Sequence, residues 1–263
     1  MKKQIVLITE NENSDYREYS EKVLEKTDFE IICAPADINR YDAVVFVFDK
    51  EPYNTNERLN SWVGHSHLRA IWGSSEAEKK AMLKNELTHI AGIPFPLEIE
   101  RKFLIEYPDT EKLGTMGNCR SVELEQIYLS PIDGAHIRIR RRSAIGEDIY
   151  IKTEKKKISA AVRIETEEEI SKEQYRAYKL HADSELMPIT KTRYCLMDNG
   201  RYFEIDIFPF WKDKAYLEIE LTDENEKFHL PEFIRVIKEV TEDRSYTNRS
   251  LAKLLKSEKI NEL

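Results

Sequence analysis

Eight segments in the last two thirds of the chain repeat one alternation: "LEIERKFLI", "VELEQIYL", "HIRIRRR", "DIYIKTEK", "VRIETEEEI", "ITKTRYCLM", "RYFEIDIF" and "AYLEIEL". A period of two places successive side chains on opposite faces of a β-strand. In "PLEIERKFL" (96–104), Glu98, Glu100 and Lys102 share a face against Leu97, Ile99, Arg101 and Phe103. Arg138 and Arg140 oppose Ile137 and Ile139, and Lys152 opposes Ile149 and Ile151. Arg163, Glu165 and Glu167 align, as do Lys191 and Arg193. Glu204 and Asp206 oppose Phe203, Ile205 and Ile207, and Glu218 and Glu220 oppose Leu217, Ile219 and Leu221. "SPIDG" and "MDNG" read as hairpin turns. "SKEQYRAYKLHA" and "PEFIRVIKEVTED" read as helices. Eight such strands suit an antiparallel sheet closed into a barrel with flanking helices.

For any one strand a charged face is ordinarily the solvated face. Solvated faces, however, mix charges with Ser, Thr, Asn and Gln. Here one-sign pairs recur as ExE, RxR, KxR and ExD, in both signs. Turned inward, they would line a wet tunnel with basic and acidic zones. Arginine and lysine suit phosphoryl oxygens. Crowded carboxylates repel unless a cation lies between them. Hard divalent ions take oxygen ligands and bridge carboxylate to phosphate. A polyphosphate with Mg²⁺ or Mn²⁺ satisfies both zones.

The ordered units resemble the CYTH superfamily of triphosphate tunnel metalloenzymes. "EIERK" matches its ExExK signature, followed in order by Arg138 and Arg140, Lys152, RxExE from Arg163 to Glu167, Lys191 and Arg193, and the ExE of Glu218 and Glu220. "PLEIERKFLIEYPD", "KTRYCLM", "YFEIDIFPFW" and "FIRVIKEVTED" further resemble proteins that join a P-loop kinase-like domain to a CYTH domain, the TRPL-translocation-defect type. The resemblance implies an eight-stranded antiparallel tunnel and metal-dependent hydrolysis of inorganic, nucleoside or other organic triphosphates. Carried over by position, Glu98, Glu100 and Glu220 are the main metal ligands. Glu218, Glu165 and Glu167 stand around a second metal or the attacking water, and Asp206 assists. Lys102, Arg138, Arg140, Lys152, Arg163, Lys191 and Arg193 hold phosphate. The alternatives are a non-catalytic module binding a triphosphate, a nucleotide or an anionic lipid headgroup, and an adenylate cyclase of the class IV type. The expected partners are a small-molecule triphosphate and at most a second copy of the chain as a homodimer.

Residues 1–93 have a different texture. "KQIVLIT", "FEIICA", "DAVVFVFD" and "LRAIWGS" read as strands. "SDYREYSEKVLEKT" and "SEAEKKAMLKNELTHIAG" read as helices with Ser14 and Ser75 as N-caps and Gly92 past the second end. That alternation predicts a small, mainly parallel sheet. The loop after its first strand, "TENENSDY", lacks the glycines of a phosphate loop. A degenerate or replaced kinase-like domain is therefore expected. "GIPFP" (92–96) reads as a stiff joint to the unit spanning 94–263.

The net charge of −8 argues against a nucleic-acid-coating protein. Three scattered cysteines, Cys33, Cys119 and Cys195, fit a reducing compartment and no structural zinc site. The sequence shows no signal-peptide core or spanning run, so a cytoplasmic location is expected.

Overall fold

A computed structural model describes residues 2–10, 14–33, 41–65, 67–93, 99–131, 136–144, 146–157, 163–223 and 226–258. Much of the "SPIDG" turn, the joint from residue 94, and the centre of the loop after the first strand fall outside these residues.

The first segment contains β1 (Lys3–Thr9), α1 (Ser14–Val23), β2 (Phe29–Ile32), β3 (Ala43–Phe48), α2 (Glu57–Asn60), β4 (Leu68–Trp72) and α3 (Glu76–Ile90). The strands form a parallel sheet in the order β2-β1-β3-β4, as the alternating pattern predicts. The Ser75 hydroxyl accepts the Glu78 N–H and caps α3, and Gly92 takes the positive φ of 66° beyond its end. One sheet face packs Ile5, Leu7, Val45, Val47 and Ile71 against Tyr16 of α1 and Leu83 and Leu87 of α3.

The remainder contains β5 (Ile99–Glu106), α4 (Thr110–Thr115), β6 (Cys119–Tyr128), β7 (His136–Ala144), β8 (Glu147–Lys157), β9 (Arg163–Ile170), α5 (Lys172–Lys179), β10 (Ile189–Asp198), β11 (Arg201–Ile207), β12 (Lys214–Leu221), β13 (Val236–Glu239) and α6 (Asn248–Lys256). All eight expected strands form. They belong to an antiparallel sheet of nine, ordered β13-β5-β12-β11-β10-β6-β7-β8-β9. Among the described residues the end strands β13 and β9 do not pair, so the sheet is not closed by hydrogen bonds. The extra strand is the predicted helix "PEFIRVIKEVTED". Its β-branched Val236 and Ile237 instead lie on the otherwise open edge of β5, where β13 pairs through a bulge. An unpaired strand edge offers a row of donors and acceptors that outweighs a weak local helical preference.

The sheet is strongly curled. Leu104 of β5, Tyr128 of β6, Ile189 of β10 and Tyr216 of β12 share one cluster. In a flat sheet β5 and β6, four strand spacings apart in this order, would stand about 19 Å from one another. Phe208, Trp211, Tyr246, Leu251 and Ala252 complete that cluster, so the "FPFW" turn and α6 plug one end of the concave face. The other end is covered by the first segment. Val6, Val44, Phe46, Leu68 and Ala70 of the parallel sheet pack on Val122, Leu124, Cys195, Met197 and Tyr202. The β10–β11 hairpin reinforces this contact. Its turn residues Asn199 and Gly200 have positive φ of 46° and 71°, and Asn54 joins Asp198 at 2.8 Å and the Asn199 N–H at 2.7 Å. No helix of the described residues is long and apolar enough to cross a membrane.

Candidate functional site

Between the two apolar layers lies a charged band. On β12, Tyr216 belongs to the plug, and Glu218 and Glu220 follow it. On β10, Ile189 belongs to the plug, Lys191 and Arg193 to the band, and Cys195 and Met197 to the covered end. β5 contributes Lys102 and Glu100, β11 contributes Asp206 and Glu204, and β7 contributes Arg138 and Arg140. Each of these strands thus supplies two inward charges, spaced two residues apart by the pleat.

The register explains the pairings. Lys102 stands opposite Glu218, and its Nζ lies 2.8 Å from that carboxylate and 3.5 Å from Glu100. Glu218 also stands opposite Glu204 and accepts Arg193 Nη2 at 2.8 Å. Arg193 stands opposite Asp206 and further donates to Glu204. Lys191 donates to the fully buried Asp206. Burial pushes the Glu218 carboxyl up, but Lys102, Lys191 and Arg193 outweigh it and hold it well below the carboxylate range. Burial and neighbouring Arg193 push the Lys191 ammonium down, despite Asp206.

On the opposite wall, Arg138 and Arg140 lie 3.6 and 3.5 Å from one carboxylate, Glu167 of β9. Burial raises Glu167, and Arg140 and Arg138 more than offset this, taking its pKa to about 2. Burial, then Arg138, lowers the Arg140 guanidinium. Two arginines thus converge on one carboxylate of this wall.

The sequence assigns Lys152 to this wall, and the structure corrects that assignment. Arg138 stands opposite Thr153, while Lys152 stands opposite Ile139 and Glu168 on the reverse face. There its ammonium lies 3.9 Å from Glu168 and over the Tyr178 ring of the segment that follows β9. Thr153 fills the inward position and donates to Glu167 at 2.8 Å. Arg141 also faces outward, 3.6 Å from Glu125. Glu98 lies outside the described residues, and the side chains of Arg163 and Glu165 are not described, although their backbone belongs to β9.

Sequence reasoning missed the contribution of the first segment. Arg69 of β4 donates to Glu220 at 2.5 Å, and His89 of α3 lies 3.0 Å from its other oxygen. A visible signal was a lone arginine inside the apolar run "LRAIW". Glu204 was legible too, since it alternates with Asp206.

Glu100 and Glu220 stand directly opposite one another on β5 and β12. Like charges so placed repel, and their hard oxygen donors suit Mg²⁺ or Mn²⁺. The buried Tyr216 hydroxyl, beside Glu218 on β12, has no hydrogen-bond partner among the described residues. Carboxylate oxygens are the donor type a divalent ion takes, and those of Glu220 are engaged by Arg69 and His89. Among the described residues, no three of His, Cys, Asp and Glu converge as a ready metal set.

A curled antiparallel sheet with opposed charges on its concave face defines a β protein built around a polar interior. The CYTH domain profile matches residues 96–246, more than half of the chain, and the chain belongs to the CYTH domain family. The comparison with curated proteins gave no match. Among solved structures, the inorganic triphosphatase NE1496 is 29% identical, covering 60% of this chain and 95% of that one, with a TM-score of 0.40. The PH1819 protein of Pyrococcus horikoshii OT3 is 20% identical, covering 48% and 80%, with a TM-score of 0.36. HpAC1 from Hippeastrum, with its dominant triphosphatase activity, is 16% identical, covering 48% and 79%, with a TM-score of 0.34.

Proposed function

We propose that this protein hydrolyses a triphosphate in the charged band with the help of a divalent cation. The observation that carries the reading is the pair Arg138 and Arg140 sharing Glu167, across a concave face from the carboxylates of β5 and β12. Family membership supports the same chemistry. Arg138, Arg140, Lys191 and Arg193 would bind and orient the phosphate chain, and Lys102 would offset charge developing on the transferred phosphoryl group. Glu98, Glu100 and Glu220 would hold Mg²⁺ or Mn²⁺, with Glu165, Glu167 and Glu218 close by. When bound, such an ion supplies Lewis-acid polarisation and a more acidic water. Asp206 keeps Lys191 and Arg193 in place. Residues 1–93 are read as a replaced α/β domain and 94–263 as the tunnel unit.

The test is phosphate release from tripolyphosphate, ATP and thiamine triphosphate with Mg²⁺ or Mn²⁺, beside Glu100→Ala and Arg138→Ala. Loss of turnover in both variants is expected. Absence of turnover of any triphosphate by the folded wild type would overturn hydrolysis. Binding without turnover would favour a sensing module instead.

A further inference from the structure

Arg69 lies outside the family segment, yet it reaches a carboxylate of the band. The residue is 9% exposed. Its Nη2 donates to Glu220, its Nη1 to the Leu68 carbonyl at 3.1 Å, and its Nε lies 3.4 Å from Glu86 of α3. His89, also on α3, meets the second oxygen of Glu220. Both oxygens of one proposed cation ligand are thus engaged by the first segment.

We propose that Arg69 regulates cation binding at the site: it is a cation carried by the chain itself that competes with a divalent ion for Glu220. The proposal rests on the metal-dependent reading above. A divalent ion between Glu100 and Glu220 would face a fixed guanidinium at hydrogen-bond distance from its ligand, an unfavourable meeting of like charges. If Glu220 turned to the ion, Arg69 would stay buried with Glu86 as its remaining ion-pair partner among the described residues, and an under-compensated buried charge is costly. The two occupants therefore oppose one another. By reciprocity, cation binding loosens the first segment as much as that segment weakens cation binding. An ordinary structural ion pair is the plain alternative, and it predicts no change in cation affinity when the charge is removed.

Calorimetric titration of the full chain with Mn²⁺ and Mg²⁺ decides between them. Arg69→Gln is expected to bind either ion about tenfold more tightly, a coupling within the ordinary range for linked sites. Glu86→Gln is expected to bind more weakly than wild type, because Arg69 then leans on Glu220 alone. Equal or weaker binding by a folded Arg69→Gln would overturn the proposal while leaving the metal reading intact. Should Arg69→Gln fail to fold, unchanged or tighter binding by Glu86→Gln would overturn it. Absence of cation binding in wild type and Arg69→Gln alike would overturn the metal reading and this proposal together.

Discussion

Arg193 and Asp206 face one another across β10 and β11 in a two-point pairing, Nε to Oδ1 and Nη2 to Oδ2, each at 2.7 Å. Asp206 is fully buried and also accepts Lys191. Removing its charge leaves two buried cations short of a partner. Asp206→Asn should destabilise the fold by about 3 to 5 kcal/mol, the usual loss on breaking a buried pair. Urea unfolding measures it, and a loss below about 1 kcal/mol would show that Glu204 and Glu218 compensate.

The two faces of β7 and β8 give a second prediction. Arg138→Met should weaken tripolyphosphate binding by about tenfold or more, about 1.4 kcal/mol. Lys152→Met should leave it within about twofold, because Lys152 lies on the reverse face. Calorimetry on both variants checks this. Equal losses would put Lys152 back in the site.

Alternation alone predicted the strands β5 to β12 and grouped most of the charged residues by strand face, since a pleated strand has a strict period of two. It failed at Lys152 because "DIYIKTEK" offers Lys152 and Thr153 as rival inward positions, and cross-strand pairing decides between them. It failed at "FIRVIKEV" because its apolar spacing suits a helix, and the open edge of β5 is not written in that segment. Arg69 was legible as an oddity and not as a partner of Glu220, since their contact spans 151 positions of sequence.

His65 predicts an acid-sensitive joint. Its Nδ1 accepts the His67 N–H at 3.3 Å, so its Nε2 donates to the Tyr41 carbonyl at 2.8 Å, and the ring is neutral. Burial, then His67, lowers its pKa from 6.5 to about 4. The unfolded chain therefore binds a proton first as pH falls. Stability should be full above pH 6.5 and decline towards pH 4, by up to about 3 kcal/mol. His65→Asn should flatten the part of this slope above pH 4.5, where carboxylates contribute least. Thermal unfolding against pH reads it, and an unchanged slope would assign it elsewhere.

Gly200 of the hairpin packs directly against Trp72 of the first segment. A Cβ there would come within 2.4 Å of Trp72 Cζ3, and its φ of +71° disfavours any side chain. Gly200→Ala should cost about 2 to 4 kcal/mol from overpacking and backbone strain together. A shift of the thermal midpoint by less than a few degrees would mean that Trp72 turns aside freely.

The layer that joins Val6, Phe46 and Leu68 to Val122, Met197 and Tyr202 has a consequence for how such a chain is divided. The inherited module begins near residue 96. Water recognises no border there, because the wall that keeps the strand ends dry is built from residues that precede it. Cut at the family boundary, the second part would bare Val122, Leu124, Met197 and Tyr202 to water. The segment recognisable by descent and the segment that shares this apolar layer are different lengths of the same polypeptide.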